Sequence, residues 1–104
     1  MNIPTEVWET VLRRDNGYCR YCGIDLLCNY STFSSATVDH LLPKTEAARD
    51  QPENLVLSCP GCNQLLSRAH SLTTFEQRKE LIMRRHNERE GWYRPFLREL
   101  RGDS

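Results

Sequence analysis

The chain has 104 residues, 38% hydrophobic and 27% charged, with 14 Lys/Arg against 14 Asp/Glu. That length bounds it to one domain, or two small lobes on a shared core, and domains this lean often add a metal or disulfides. A formal net charge of zero removes any argument from composition for nucleic acid or an acidic membrane surface.

The charge is unevenly placed. Residues 1–67 carry 5 Lys/Arg and 8 Asp/Glu, whereas residues 68–101 carry 9 and 5, so the C-terminal third is the basic part. The opening MNIPTEVWET has neither a basic n-region nor an apolar h-region, so no secretory signal is expected. No apolar run approaches the roughly 18 residues that span a bilayer. Five cysteines is an odd number, and four fall in two C-x-x-C pairs. That arithmetic favours a reduced, cytoplasmic setting and a metal over a disulfide framework.

In chain order, residues 3–15 are expected to be helical. Trp8, Val11 and Leu12 recur at i, i+3 and i+4, acids precede bases, and Asn16-Gly17 supplies a stop. Residues 18–34 read as a loop holding the first cysteine pair. The apolar run Ala36–Leu42 follows, closed by Pro43, then a polar turn over 44–53 and a second apolar run, Leu55-Val56-Leu57. Two short runs around a polar connection suggest an antiparallel hairpin. Asn63 to Ala69 suits a short helix. A longer one should begin at Thr74, where Thr74-Phe75-Glu76-Gln77 fits a capping box, and end at Gly91. Trp92, Tyr93, Phe96, Leu97 and Leu100 would let the tail pack back on the domain.

Cys19-x-x-Cys22 and Cys59-x-x-Cys62 are knuckles of the kind that give tetrahedral thiolate coordination, because two intervening residues let one tight turn present both sulfurs. Structural zinc is the leading assignment, ahead of a 2Fe-2S centre or a redox pair. The 36 residues between the pairs exceed the roughly 15 to 20 of an ordinary zinc ribbon, so the ion would clip the ends of an inserted unit. Cys28 is left over, and a buried or free thiol suits it better than a place at the metal.

Inside the insert, TVDHLLP places Asp39 and His40 in an otherwise apolar run. Alone, the pair reads as a strand end with a capped acid and a satisfied histidine. Asn54 at the start of the second strand and Asn63 directly after the last cysteine change that balance. The Asp39 carboxylate and the Asn63 side-chain carbonyl would offer two oxygens to a hard divalent cation, and neutral His40 would take a proton from an attacking water. Successive residues of a regular strand point to opposite faces, so a shared centre requires the backbone to bend at Asp39-His40.

The run DHLLPKTEAARDQPENLVLSCPGCN, preceded by VLRRDNGYCRYCG, resembles the HNH endonuclease family with a four-cysteine zinc site, over about residues 5–68. The resemblance implies a small α+β fold: a ββα-metal core (antiparallel hairpin plus short helix), clipped by that four-cysteine zinc site, with flanking N- and C-terminal helices. It implies one HNH nuclease domain over 1–104, with the core at 5–68 and a basic helical extension at 74–101. His40 would be the general base, Asp39 and Asn63 the ligands of catalytic Mg2+ or Mn2+, and Asn54 a residue positioning the loop around His40. The reaction implied is hydrolysis of a DNA phosphodiester to 5′-phosphate and 3′-hydroxyl ends. Two departures stand out. Leu66 occupies the place where many members have lysine, and Thr45–Asp50 replace a common Gly-Gly.

In the basic third, Phe75, Ile82, Met83 and His86 share a side that reads as core, with His86 a satisfied histidine at its edge. Arg78, Arg85 and Arg89 line an adjacent strip, none with an acid four residues away, and with Arg68 they are candidate phosphate contacts; a solvated flank explains the strip equally well. His70 receives no role. Two other readings stay open beside the nuclease: a catalytically silent, zinc-stabilised nucleic-acid-binding module, and a protein-interaction domain exposing an apolar tail over 92–100. A monomer would nick, and a homodimer would be able to cut both strands.

Overall fold

The first helix, α1 (Thr5–Arg14), forms where the apolar spacing puts it, with Glu6 in its first turn, Arg13 and Arg14 in its last, and Val11 fully buried. The structure is a computed structural model that describes residues 3–42 and 46–102. Pro43, expected to close the first strand, lies outside the described residues. The chain leaves α1 through Asn16 and Gly17, both at positive φ. A Cβ at Gly17 would sit 2.4 Å from Leu27 Cδ1, so this corner requires glycine for space as well as conformation. Arg14 fastens the corner. It donates to both Asp15 oxygens at 2.8 Å and to the carbonyls of Pro52 and Leu55 at 2.7 Å.

The 18–34 stretch is not all loop: it contains a short helix, α2 (Tyr30–Ser34), capped by the Asn29 side chain, which accepts from the Thr32 amide. Five residues give no periodic apolar face, so only the cap residue signals it.

The hairpin is present. Strands β1 (Thr37–His40) and β2 (Leu55–Ser58) pair antiparallel from Thr37↔Ser58 to His40↔Leu55. Their polar connection contains α3 (Glu46–Arg49) and a 3-10 turn over Pro52–Asn54. The register is continuous through Asp39↔Val56 and His40↔Leu55, so the strand has no bulge at the Asp39-His40 step. A two-stranded sheet is marginal alone. Here all four β2 residues are buried, α1 packs on β2, and α4 (Pro60–Leu65) packs on β1. Helix α4 starts ahead of Asn63 because Cys59 caps it, its sulfur accepting from the Cys62 amide, and Pro60 suits the first turn.

The last helix, α5 (Phe75–Arg101), opens on the expected capping box between Thr74 and Gln77. It does not stop at Gly91. Gly91 remains helical, and the positive-φ cap falls at Gly102. Glycine costs only about 1 kcal/mol inside a helix, so Gly91 alone does not end it, and the helix also continues past Pro95. The Glu90–Arg94 ion pair and the stacked rings of Trp92 and Phe96, 5.2 Å apart, bridge the weak point. The tail therefore stands off as helix rather than packing back, with Trp92 69% and Leu100 65% exposed. Met83, expected in the core, is also exposed, whereas Ile82 is fully buried.

The architecture is a small α+β fold: hairpin, short following helix, cysteine cluster and C-terminal helix. If the α5 overhang contributes little to the core, ending the chain after Gly91 should change unfolding free energy in urea by less than about 1 kcal/mol. In contrast, Ile82→Ala should cost about 2–5 kcal/mol by the same measurement.

Candidate active site and metal centre

Four sulfurs converge at one end of the hairpin. The first knuckle is a tight turn in which the Cys19 amide donates to Ile24 O at 3.0 Å and the Gly23 amide to Cys19 O at 2.8 Å. The second begins where β2 runs directly into Cys59. The Arg20 amide donates to Leu57 O at 3.0 Å, which docks the first knuckle beside the second. Cys19, Cys22, Cys59 and Cys62 then hold their Sγ atoms within 4.8 Å of one another. Zn–S bonds of about 2.3 Å in a tetrahedron would put sulfurs roughly 3.8 Å apart. The Cys22–Cys59 pair stands at 3.7 Å.

The donor set therefore fits a four-thiolate zinc site with no position left open for substrate. Hydrogen bonds with Cys59 and Cys62 hold the Cys19 thiol well below its ordinary value, whereas those with Cys19 and Cys59 push Cys62 above it. Burial pushes Cys22 up to about 11. Cys28 is exposed and outside the group. His86 comes from α5 to the edge of the cluster, Nε2 lying 3.4 Å from Cys62 Sγ, as a satisfied histidine would.

A cavity of about 370 Å3 adjoins the hairpin, its wall formed by Val38 through Leu42 of β1 and its exit, Asn63 and Ser67 after the second knuckle, and Arg49, His70 and Arg78. The strand does not bend at Asp39-His40 as a shared centre was expected to require, although Asp39, His40 and Asn63 are all among the residues that line this cavity. Asn54, buried, does not line it. Its side chain accepts from the Leu42 amide at 3.0 Å and donates to Leu42 O at 2.9 Å and Arg49 O at 3.0 Å. It ties the two ends of the connection together just beyond His40.

His40 is partly exposed and its Nε2 lies 2.8 Å from Asp50 Oδ1. With Nε2–H donating to that carboxylate, Nδ1 keeps its lone pair. Asp39 is 5% exposed. Its Oδ2 accepts from Tyr21 Oη at 2.6 Å and Arg78 Nε at 2.7 Å, and its Oδ1 accepts from Arg78 Nη2 at 2.8 Å. Burial first, then the bond to Asp39, pushes the Tyr21 hydroxyl up, so it stays a donor. Burial works against the Arg78 charge, but the Asp39 interactions outweigh it and the guanidinium pKa rises.

Arg78 thus leaves the exposed strip foreseen for it. It is 5% exposed, and its Nη1 donates to the carbonyls of Ala69 and Leu72. Arg68, Arg85 and Arg89 do gather, in a surface recess shared with Glu88 whose wall includes Ser67 of the first cavity. Arg85 also pairs with Glu88 at 3.6 Å, three residues on, a spacing that a search for acids four residues away overlooks.

A carboxylate offers about four lone-pair positions. Three of those on Asp39 are taken, leaving one on Oδ1. The Asn63 side chain makes no hydrogen bond among the described residues. Asp39 thus keeps one acceptor position among the described residues, and Asn63 lines the same cavity with an unbonded side-chain carbonyl. Tyr21, Asp50, Arg49 and His70 carry no recognisable spacing. Tyr21 sits within the first C-x-x-C, where a buried aromatic was a signal available to read, while the other three are brought in by the fold alone.

Residues 19–68 match the family described as HNH endonuclease. The cysteine cluster fits the zinc-binding variant of that family. Comparison with curated proteins and with solved structures found no match to the chain. No helix among the described residues is long and apolar enough to cross a membrane.

Cys59 supplies both a sulfur and the cap of α4. Cys59→Ser should abolish stoichiometric zinc and the cooperative thermal transition, since structural zinc contributes on the order of 10 kcal/mol to small folds. Metal analysis and circular dichroism would check both; an unchanged melting temperature would refute the zinc assignment.

Proposed function

We propose that the protein is a metal-dependent endonuclease that hydrolyses DNA phosphodiester bonds. Residues 5–68 form its zinc-clipped ββα core and 74–101 a basic helical extension, together one domain over 1–104. The observation that carries this reading is the shared cavity of Asp39, His40 and Asn63 inside the matched stretch.

His40 is the general base. Asp50 fixes its ring through Nε2, and Nδ1 takes the proton from the water that attacks phosphorus. Asn54 is a positioning residue, holding the connection so that His40 keeps its place at the strand end. Asp39 and Asn63 hold Mg2+ or Mn2+. When bound, that ion supplies positive charge to the phosphate and the leaving 3′-oxygen.

Arg49, on the cavity wall, takes the phosphate contact that buried Leu66 cannot make. The recess of Arg68, Arg85 and Arg89 meets the cavity at Ser67 and gives the DNA backbone a continuous basic track. Arg78 is spent on Asp39 instead. That same engagement of both Asp39 oxygens favours a second reading, a silent zinc-stabilised module that holds nucleic acid without cutting.

Supercoiled plasmid separates the two. Wild-type protein with Mg2+ or Mn2+ should convert it to nicked or linear forms, and His40→Ala should lower the rate by about 10²–10⁴. No cutting with any divalent cation, or equal cutting by the variant, would overturn the nuclease reading.

A further inference from the structure

The carboxylate assigned to a divalent cation is already paired with a cation from its own chain. Arg78 spans both Asp39 oxygens at 2.7 and 2.8 Å, and both residues are buried. The guanidinium is anchored from behind, with Nη1 bonded to Leu72 O at 2.6 Å and Ala69 O at 3.0 Å. Arg78 lies on α5, beyond the matched residues 19–68, so the pairing is an addition to that stretch.

We propose that Arg78 is an internal competitor for the divalent cation at Asp39, so that the C-terminal helix sets the metal affinity of the site. The inference rests on Asp39 being a ligand, as proposed above. Only one lone-pair position of Asp39 stays open, on Oδ1, where Arg78 Nη2 already donates. A cation about 2.1 Å from that oxygen would stand within roughly 5 Å of the guanidinium nitrogen. Two positive charges that close in a desolvated pocket repel strongly. Binding must therefore either tolerate the repulsion or draw Nη2 off Oδ1, and both weaken it.

The test reads ion binding rather than cutting. Mn2+ is titrated into zinc-loaded protein and the free ion followed by electron paramagnetic resonance. Arg78→Met should tighten Mn2+ binding by about tenfold or more. Arg78→Lys, which keeps the charge, should stay near wild type. Adding Asp39→Asn to Arg78→Met should erase the gain. A merely structural arginine would give unchanged or weaker binding in folded Arg78→Met, and that result overturns the proposal.

Should Arg78→Met not fold, the wild-type protein carries the test. Mg2+ should shift the Arg78 Nε–H resonance in step with saturation, and a resonance that does not move overturns the proposal. Plasmid cutting with an unmoved Arg78 would leave the nuclease reading intact and remove only the competition. No ion binding by any variant removes both the competition and the Asp39 ligand assignment.

Discussion

Four thiols held within 4.8 Å of one another cannot all ionise unless a cation sits among them, and the rest of the fold hangs from that constraint. The two pairs bracket the whole insert, so drawing them together closes a loop that a two-stranded sheet is too weak to close alone. β2 feeds Cys59 directly, Cys59 caps α4, and α4 presents Asn63 at the cavity next to β1. Stability and the geometry of the candidate centre are thus one construction. A change at a sulfur reaches Asn63 through a single turn of helix.

A second anchor crosses the first. Tyr21 belongs to the first knuckle, Asp39 to β1 and Arg78 to α5, and their mutual hydrogen bonds join three distant segments of the chain at one buried carboxylate. Such a pair gains little over a hydrophobic replacement, while breaking it strands a charge, at a cost of about 3–5 kcal/mol. The stacked rings of Tyr21 and Phe75, 5.3 Å apart, and Arg20 over the Phe75 face bring the start of α5 to the same point. The C-terminal helix is therefore part of the frame around the candidate centre as well as a carrier of positive charge.

Much of this is legible in the sequence, for physical reasons that can be named. Cysteine spacing is a local rule, so the cluster can be read directly, as can the capping box at Thr74 and the two apolar runs of the hairpin. Gly91 signals a helix end that does not occur, because a glycine's effect depends on its neighbours. The helix runs on through that residue, with Glu90 paired to Arg94 across it and Trp92 stacked on Phe96 beyond it. Arg78 reads as a surface arginine because no acid lies one turn away. Its partner is 39 residues earlier, a separation no periodicity records. Asp50 beside His40 and His70 on the cavity wall are likewise contacts of the folded chain that no local spacing marks.

The Asn54 tie carries one more consequence. Its amide grips Leu42 on one side and Arg49 on the other, so both ends of the connection between the strands are tied to one buried side chain. Losing that single asparagine would release both ends of the connection at once.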